Sequence, residues 1–177
     1  MAKIEYEYDP QYSGRKIAKI RKARGYTQSK LVECSGLFEE TTYLSTIEHG
    51  KYNLTIDSLF TFAFWLNVSV DELIYRSTDL EVSTSNKPEY KNNCYLPRYT
   101  GSRIQQIRKK KKLKQDVFYT ALHISKTYFS QIENGHCTPA LGKLVAIASI
   151  LEVPLSELVY QYADSQFAAN ADIPEKR

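Results

Sequence analysis

The chain has 177 residues, with 42% hydrophobic and 25% charged residues and a formal net charge of +4. That balance fits a globular protein and argues against a collagen-like or wholly disordered chain. The most hydrophobic run, Leu59 to Val70, is too short to span a bilayer and carries Thr61, Asn67 and Ser69. The opening MAKIEYEYDP lacks the basic-then-apolar layout of a signal peptide. Cys34, Cys94 and Cys137 are odd in number and without metal-ligand spacing, which suits a reducing cytoplasm and predicts no cofactor or metal. Charge is uneven along the chain. Residues 1–80 hold 10 Lys/Arg against 11 Asp/Glu, whereas residues 81–177 hold 14 against 9. Much of the excess lies in the run Arg108 to Lys114, which is either a solvated face or a contact for a polyanion.

The predicted elements are all helical. In chain order, Ile17 and Ile20 give one face of a first helix that ends at Gly25. Thr27 can cap a second helix beginning at Gln28, and Gly36 marks a turn. A third helix is expected from about Glu40 to Glu48, stopped by Gly50. Leu59, Ala63 and Leu66 carry the stripe of a fourth, and Ser69-Val-Asp-Glu72 reads as a capping box for a fifth. Residues 77–97 are rich in Ser, Thr, Asn and Pro and read as a linker, with Tyr90, Tyr95 and Leu96 as candidates for partial order.

The pattern then repeats. Ser45, Ile47, Glu48, Gly50, Leu59, Ala63, Leu66, Val68, Glu72, Leu73 and Tyr75 recur 85 positions later, from Ser130 to Tyr160. Upstream, Ile17, Ile20, Arg21 and Gln28 recur 87 positions later as Ile104, Ile107, Arg108 and Gln115, so the first copy holds two extra residues between Gln28 and Ser45. In the second copy Ser125 is a cap for the third helix, and Thr138-Pro139 suits the N-cap and first position of the fourth. This predicts an all-α chain of two tandem five-helix units at 13–76 and 98–162, a linker at 77–97 and a tail at 163–177.

Within the second copy, Phe118, Leu122, Ile124, Phe129 and Ile132 are spaced for two short helices crossing over a tight turn. Ser125, Lys126, Thr127, Ser130 and Gln131 are left on the outer face of the second of them. That is a helix-turn-helix, whose second helix enters the major groove. The run from Gln115 to Ile132-Glu133-Asn134-Gly135, followed by an Ala/Leu-rich helix and Val153-x-x-x-Glu157-Leu158, resembles the Cro/phage-repressor (XRE-type) DNA-binding family, with its lambda-repressor-like fold. The resemblance covers about residues 15–76 and 101–160. It implies that Gln115 and Asn134 grip phosphates, and that Lys126, Thr127, Ser130 and Gln131 face bases. It also implies structural ion pairs, Arg108 with Glu133 and Arg21 with Glu48, read as architecture rather than DNA contacts.

In the first copy Gln28, Thr41, Thr42, Ser45 and Thr46 take the corresponding DNA-facing positions. Glu39 and Glu40 sit at the entrance of its third helix, where carboxylates suit the helix dipole and repel phosphate. The cations Arg15, Lys16, Lys19, Lys22, Arg24 and Lys30 lie nearby in the sequence.

The expected function is therefore a cytoplasmic, sequence-specific regulator of transcription, repressing or activating from double-stranded DNA, with the second unit as main reader. The rival is a protein-interaction adaptor or antirepressor-like regulator whose first unit has lost DNA binding and holds a protein partner. RNA binding is weaker, lacking the stacking sheet or glycine loop of the usual RNA modules. An enzyme is not expected: His49, His123 and His136 fall at turns without an acid–base partner beside them. Finally, both fourth helices, Leu59–Leu66 and Leu144–Leu151, are apolar almost all round. Such helices are buried, and a unit of about 60 residues cannot cover one alone. The surplus should meet another repeat, either as a pseudo-dimer within the chain or, as the resemblance favours, as a homodimer.

Overall fold

The computed structural model describes residues 7–36, 41–76 and 94–161, and among these residues it is all-helical. Five helices form the amino-terminal half: α1 (Pro10–Ala23), α2 (Gln28–Ser35), α3 (Thr41–Glu48), α4 (Ile56–Trp65) and α5 (Val70–Ile74). Five more follow in the same order: α6 (Pro97–Lys110), α7 (Gln115–Ala121), α8 (Lys126–Glu133), α9 (Leu141–Ile150) and α10 (Leu155–Val159). Glu39 and Glu40, linker residues 77–93 and the tail from residue 162 lie outside the described residues. Among the described residues no helix is long and apolar enough to cross a membrane.

Local chemistry sets the boundaries. Thr27 Oγ1 accepts the Lys30 N–H at 3.1 Å and opens α2. Ser125 does the same for α8 through the Tyr128 N–H, and Ser69 for α5 through the Glu72 N–H. The expected start of the fourth helix at Thr138-Pro139 is corrected. α9 begins at Leu141 with Ala140 as N-cap and no side-chain cap. Ala140 stands where the first half has Thr55, whose hydroxyl caps α4 by accepting the Ser58 N–H. The second half keeps that boundary after the capping side chain has gone. Left-handed residues also coincide: Gly25 with Lys112, Gly36 with His123, Gly50 with Gly135, and Asn67 with Glu152. Because Gly36 and His123 still differ by 87, the two extra residues of the first half fall between Gly36 and Leu44.

Packing within each half brings the third helix against the first. α1 packs on α3 and α6 on α8. The approach is so close that a Cβ on Gly14 would lie 2.1 Å from the Ile47 carbonyl oxygen, and one on Gly101 would lie 2.4 Å from that of Ile132. Just ahead of these glycines, Tyr12 and Tyr99 donate their hydroxyls to the Tyr75 and Tyr160 carbonyls, each at 2.9 Å. The start of each first helix is thereby tied to the end of the fifth.

Much of the apolar surplus of the fourth helices is met inside the chain, although Phe64 of α4 stays 53% exposed. Phe60, Phe62, Leu144, Val145 and Ile147 belong to one core that runs through both halves. α5 packs on α10. There the Ser156 N–H donates to Asp71 Oδ1 at 3.0 Å, and the Val70 N–H donates to the Tyr160 hydroxyl at 3.2 Å. Phe60 meets the Tyr160 ring edge-on at 5.3 Å and the Tyr95 ring at 6.4 Å between centroids. Burial pushes the Tyr95 phenol up to about 12.

Burial raises the Asp71 carboxyl above its ordinary range, and hydrogen bonds from Ser156 and the Leu155 N–H oppose that rise. The folded carboxyl then holds its proton to higher pH than the unfolded one. Rising pH through that window, above the ordinary carboxylate range, takes away stability. Asp71→Asn keeps the acceptor oxygen and removes the titration, so its stability relative to the parent should grow as pH rises, read by urea unfolding between pH 4 and 8. Gly101→Ala should cost about 1–3 kcal/mol by overpacking the α6–α8 crossing, measured by the same unfolding.

Candidate nucleic-acid interface

The second half presents a polar face that its hydrophobic residues leave outside. On α8, Phe129, Ile132 and Glu133 are buried. Ser125, Lys126, Thr127, Gln131 and Asn134 are exposed, and Ser130 is half-buried. The sequence-predicted reading residues therefore lie together on one side of one helix. Ser125 also spends its hydroxyl on capping α8, and Asn134 Nδ2 reaches Ser130 Oγ at 3.4 Å.

Behind this face stands a buried polar network. Arg108 Nε donates to Glu133 Oε1 at 2.6 Å and Nη2 to Oε2 at 3.1 Å, a two-pronged pair with side chains 11% and 1% exposed. Its Nη1 reaches the Leu113 carbonyl at 3.0 Å, beyond the end of α6. Gln115 Nε2 donates to Glu133 Oε2 at 2.6 Å. One carboxylate thus joins the end of α6, the start of α7 and the end of α8. The first half repeats the arrangement atom for atom. Arg21 meets Glu48 at 2.6 and 3.0 Å and the Tyr26 carbonyl at 2.6 Å, and Gln28 Nε2 donates to Glu48 Oε2 at 2.7 Å.

Gln28 and Gln115 were expected to face phosphate. The structure places an amide N–H of each on the buried glutamate, which the pattern of the ion pair did not reveal. The same bond fixes the glutamine at the first position of its helix. One amide hydrogen of each is left over for an outside acceptor.

Cations flank the second face unequally. Lys110, Lys112 and Lys114 are exposed. Lys109 is bonded to Gln105 at 3.0 Å, and Lys111 pairs with Glu152 at 2.7 Å. In the first half, Thr42 is exposed on α3, while Thr41, Ser45 and Thr46 are half-buried. The Thr46 hydroxyl donates to the Tyr43 carbonyl at 2.7 Å, and His49 Nδ1 lies 2.7 Å from the Ser45 carbonyl. Lys30 is paired with Glu33 at 3.1 Å. This face is neutral and turned partly back on its own helix, whereas that of α8 carries a cation and an amide. Among the described residues no group of histidine, cysteine and acidic side chains could hold a metal ion.

Residues 104–158 match the helix-turn-helix family. The chain is 41% identical over 58 residues to the ImmF control region 10 kDa protein of Bacillus phage phi105, a match covering 33% of this chain and 64% of that protein. A solved helix-turn-helix transcriptional regulator from Vibrio cholerae is 23% identical, with a TM-score of 0.34, over 37% of this chain and 35% of its own.

Removing one partner from a buried ion pair strands the other, at about 3–5 kcal/mol. Glu133→Ala should therefore lower the melting temperature well before it alters which duplex is preferred. Unchanged melting with altered base preference would reverse the assignment of this pair to architecture. The buried network and the outward polar face thus both lie within residues 104–158, the stretch that matches the helix-turn-helix family.

Proposed function

We propose that the protein is a sequence-specific, double-stranded DNA-binding regulator of transcription built from two tandem helix-turn-helix domains, 13–76 and 98–162, with the second as the main reader. The observation that carries this reading is the exposed set Lys126, Thr127 and Gln131 on α8, held outward by the buried Arg108–Glu133–Gln115 network. Cationic and amide side chains match the donor and acceptor patterns of base edges in the major groove. Asn134 and the free amide hydrogen of Gln115 flank that set and suit phosphate oxygens. Lys110, Lys112 and Lys114 supply attraction that is independent of base sequence.

The first domain supplies the weaker contact. Thr41, Thr42, Ser45 and Thr46 offer hydroxyls without a cation, and two of its nearby basic side chains, Arg24 and Lys30, are engaged with Asn67 and Glu33. This asymmetry is also what an adaptor would show, with the first domain holding a protein partner. The helix-turn-helix match over residues 104–158 favours the DNA reading for the second domain.

Binding of the full chain to duplex DNA, single strands and RNA across a salt titration tests the proposal. Duplex should be preferred, and each lost phosphate contact should flatten the slope of log affinity against log salt by about 0.9. Lys126→Ala or Gln131→Ala should cost about 1–3 kcal/mol of preference for a selected site, if the side chain reads a base in two-pronged fashion. Substituting Thr42 and Ser45 together should cost less. Equal losses from the two faces would contradict the assignment of the second domain as main reader.

A further inference from the structure

Asp71 and Ser156 are the same position of the two repeats, 85 residues apart, and they touch. Contact between equivalent positions is what a two-fold pairing of the repeats produces. The surrounding contacts obey the same axis. A cleft of about 740 Å³ is walled by Asn53, Leu54 and Ile56 on one side, and by their equivalents Thr138, Pro139 and Leu141 on the other. The tyrosines ahead of the first helices, Tyr8 and Tyr95, each cross it. The Tyr8 hydroxyl oxygen accepts the Leu54 N–H at 2.9 Å and its ring packs beside Gly142, while Tyr95 packs on Phe60. α3 and α8 are the equivalent helices that precede the two walls in the chain, so an axis that relates the walls also relates the two outward faces.

The contact is built for unlike partners. α10 begins at Pro154, which provides no side-chain cap, and the carboxylate of Asp71 reaches across from the other half to accept the second N–H of that helix. α5 is capped by its own Ser69. Pairing two first halves through this face would set Asp71 against Asp71, both buried. Pairing two second halves would set Ser156 against Ser156 and leave α10 without its carboxylate. Only the pairing of a first with a second half satisfies both.

We propose that a single chain reads a two-part duplex site whose halves differ in sequence, with the α5–α10 contact holding the two reading helices as an internal, non-identical pair. This rests on the DNA-binding reading above. Paired recognition helices related by a two-fold axis address half-sites about one helical turn apart. Here one half faces the hydroxyls of Thr42 and Ser45, and the other faces Lys126 and Gln131. The site should therefore lack the palindrome that a pair of identical chains requires.

Selection of the full chain on random duplexes, followed by mass measurement of the complex, tests the proposal. The expected result is one chain per duplex and two dissimilar base blocks about 10 base pairs apart. Two chains per duplex, a palindromic motif or a single block would overturn it while leaving DNA binding intact. Failure to enrich any duplex would overturn the DNA reading and this inference together. The pairing itself has a readout that needs no DNA. Ser156→Asp should lower the melting temperature by several degrees, because it faces Asp71. Adding Asp71→Asn, which removes the facing charge and keeps an acceptor oxygen for the N–H of residue 156, should restore most of the loss. No recovery in the double variant would overturn the α5–α10 pairing.

Discussion

The glutamate at the end of each third helix is the constraint on which the rest of the structure depends. Glu48 and Glu133 are buried, so each needs compensation for a carboxylate removed from water. That compensation comes from an arginine near the end of the first helix and a glutamine at the start of the second. Three short helices are thereby fixed to one another by two oxygens. Helices of seven or eight residues have little stability of their own. What keeps α8 straight, and its polar side turned outward, is this network together with Phe118 stacked on Phe129 at 4.9 Å. The reading face is consequently a by-product of the core: whatever Glu133 and Phe129 do not bury is available outside.

The two halves share this scaffold and differ in what they attach to it. At the left-handed turn after the first helix, the first half has Gly25 and the second has Lys112. After the second helix, the first half has Gly36 and the second His123. A side chain in that backbone region costs about 1–2 kcal/mol relative to glycine. The second half accepts that strain and gains exposed polar groups on the turns that border α7. The first half adopts the relaxed residue and a neutral α3. Such strain is often found where function requires a particular side chain, and at these two turns it falls in the half that carries the excess of basic charge.

Much of this was legible in the sequence because it is carried by local rules applied twice. The caps at Thr27, Ser69 and Ser125 need only one hydroxyl and a neighbouring N–H. The Arg–Glu pairs were legible through the family resemblance, and the polar side of α8 through its spacing. Other features depend on distance in space and were not legible. Gly14 and Gly101 look like ordinary helix glycines until α3 and α8 are laid across them. The glutamine side chains could face phosphate or carboxylate, and only the placement of Glu48 and Glu133 decides between them. Tyr8 gave no periodic signal, since its role lies in bridging Leu54 and Gly142. The misplaced cap at Thr138 has a different cause. A helix boundary inherited through duplication outlives the residue that first specified it, so the local signal pointed two residues upstream of the true start.

That same persistence explains why the halves hold together. A repeat with two greasy fourth helices cannot remain two independent units, because each exposes more apolar surface than its own helices can cover. Tethered in one chain, the two faces meet at high effective concentration, and the linker makes their encounter intramolecular. Once that pairing is assured, the residues at its centre are free to diverge into complementary rather than identical pairs. Asp71 opposite Ser156, and Ser69 where the second half has Pro154, have this form. Divergence at the interface and divergence of α3 from α8 are then two results of one event. Covalent linkage relieves each half of the need to recognise a copy of itself, and with it the requirement that α3 and α8 be alike.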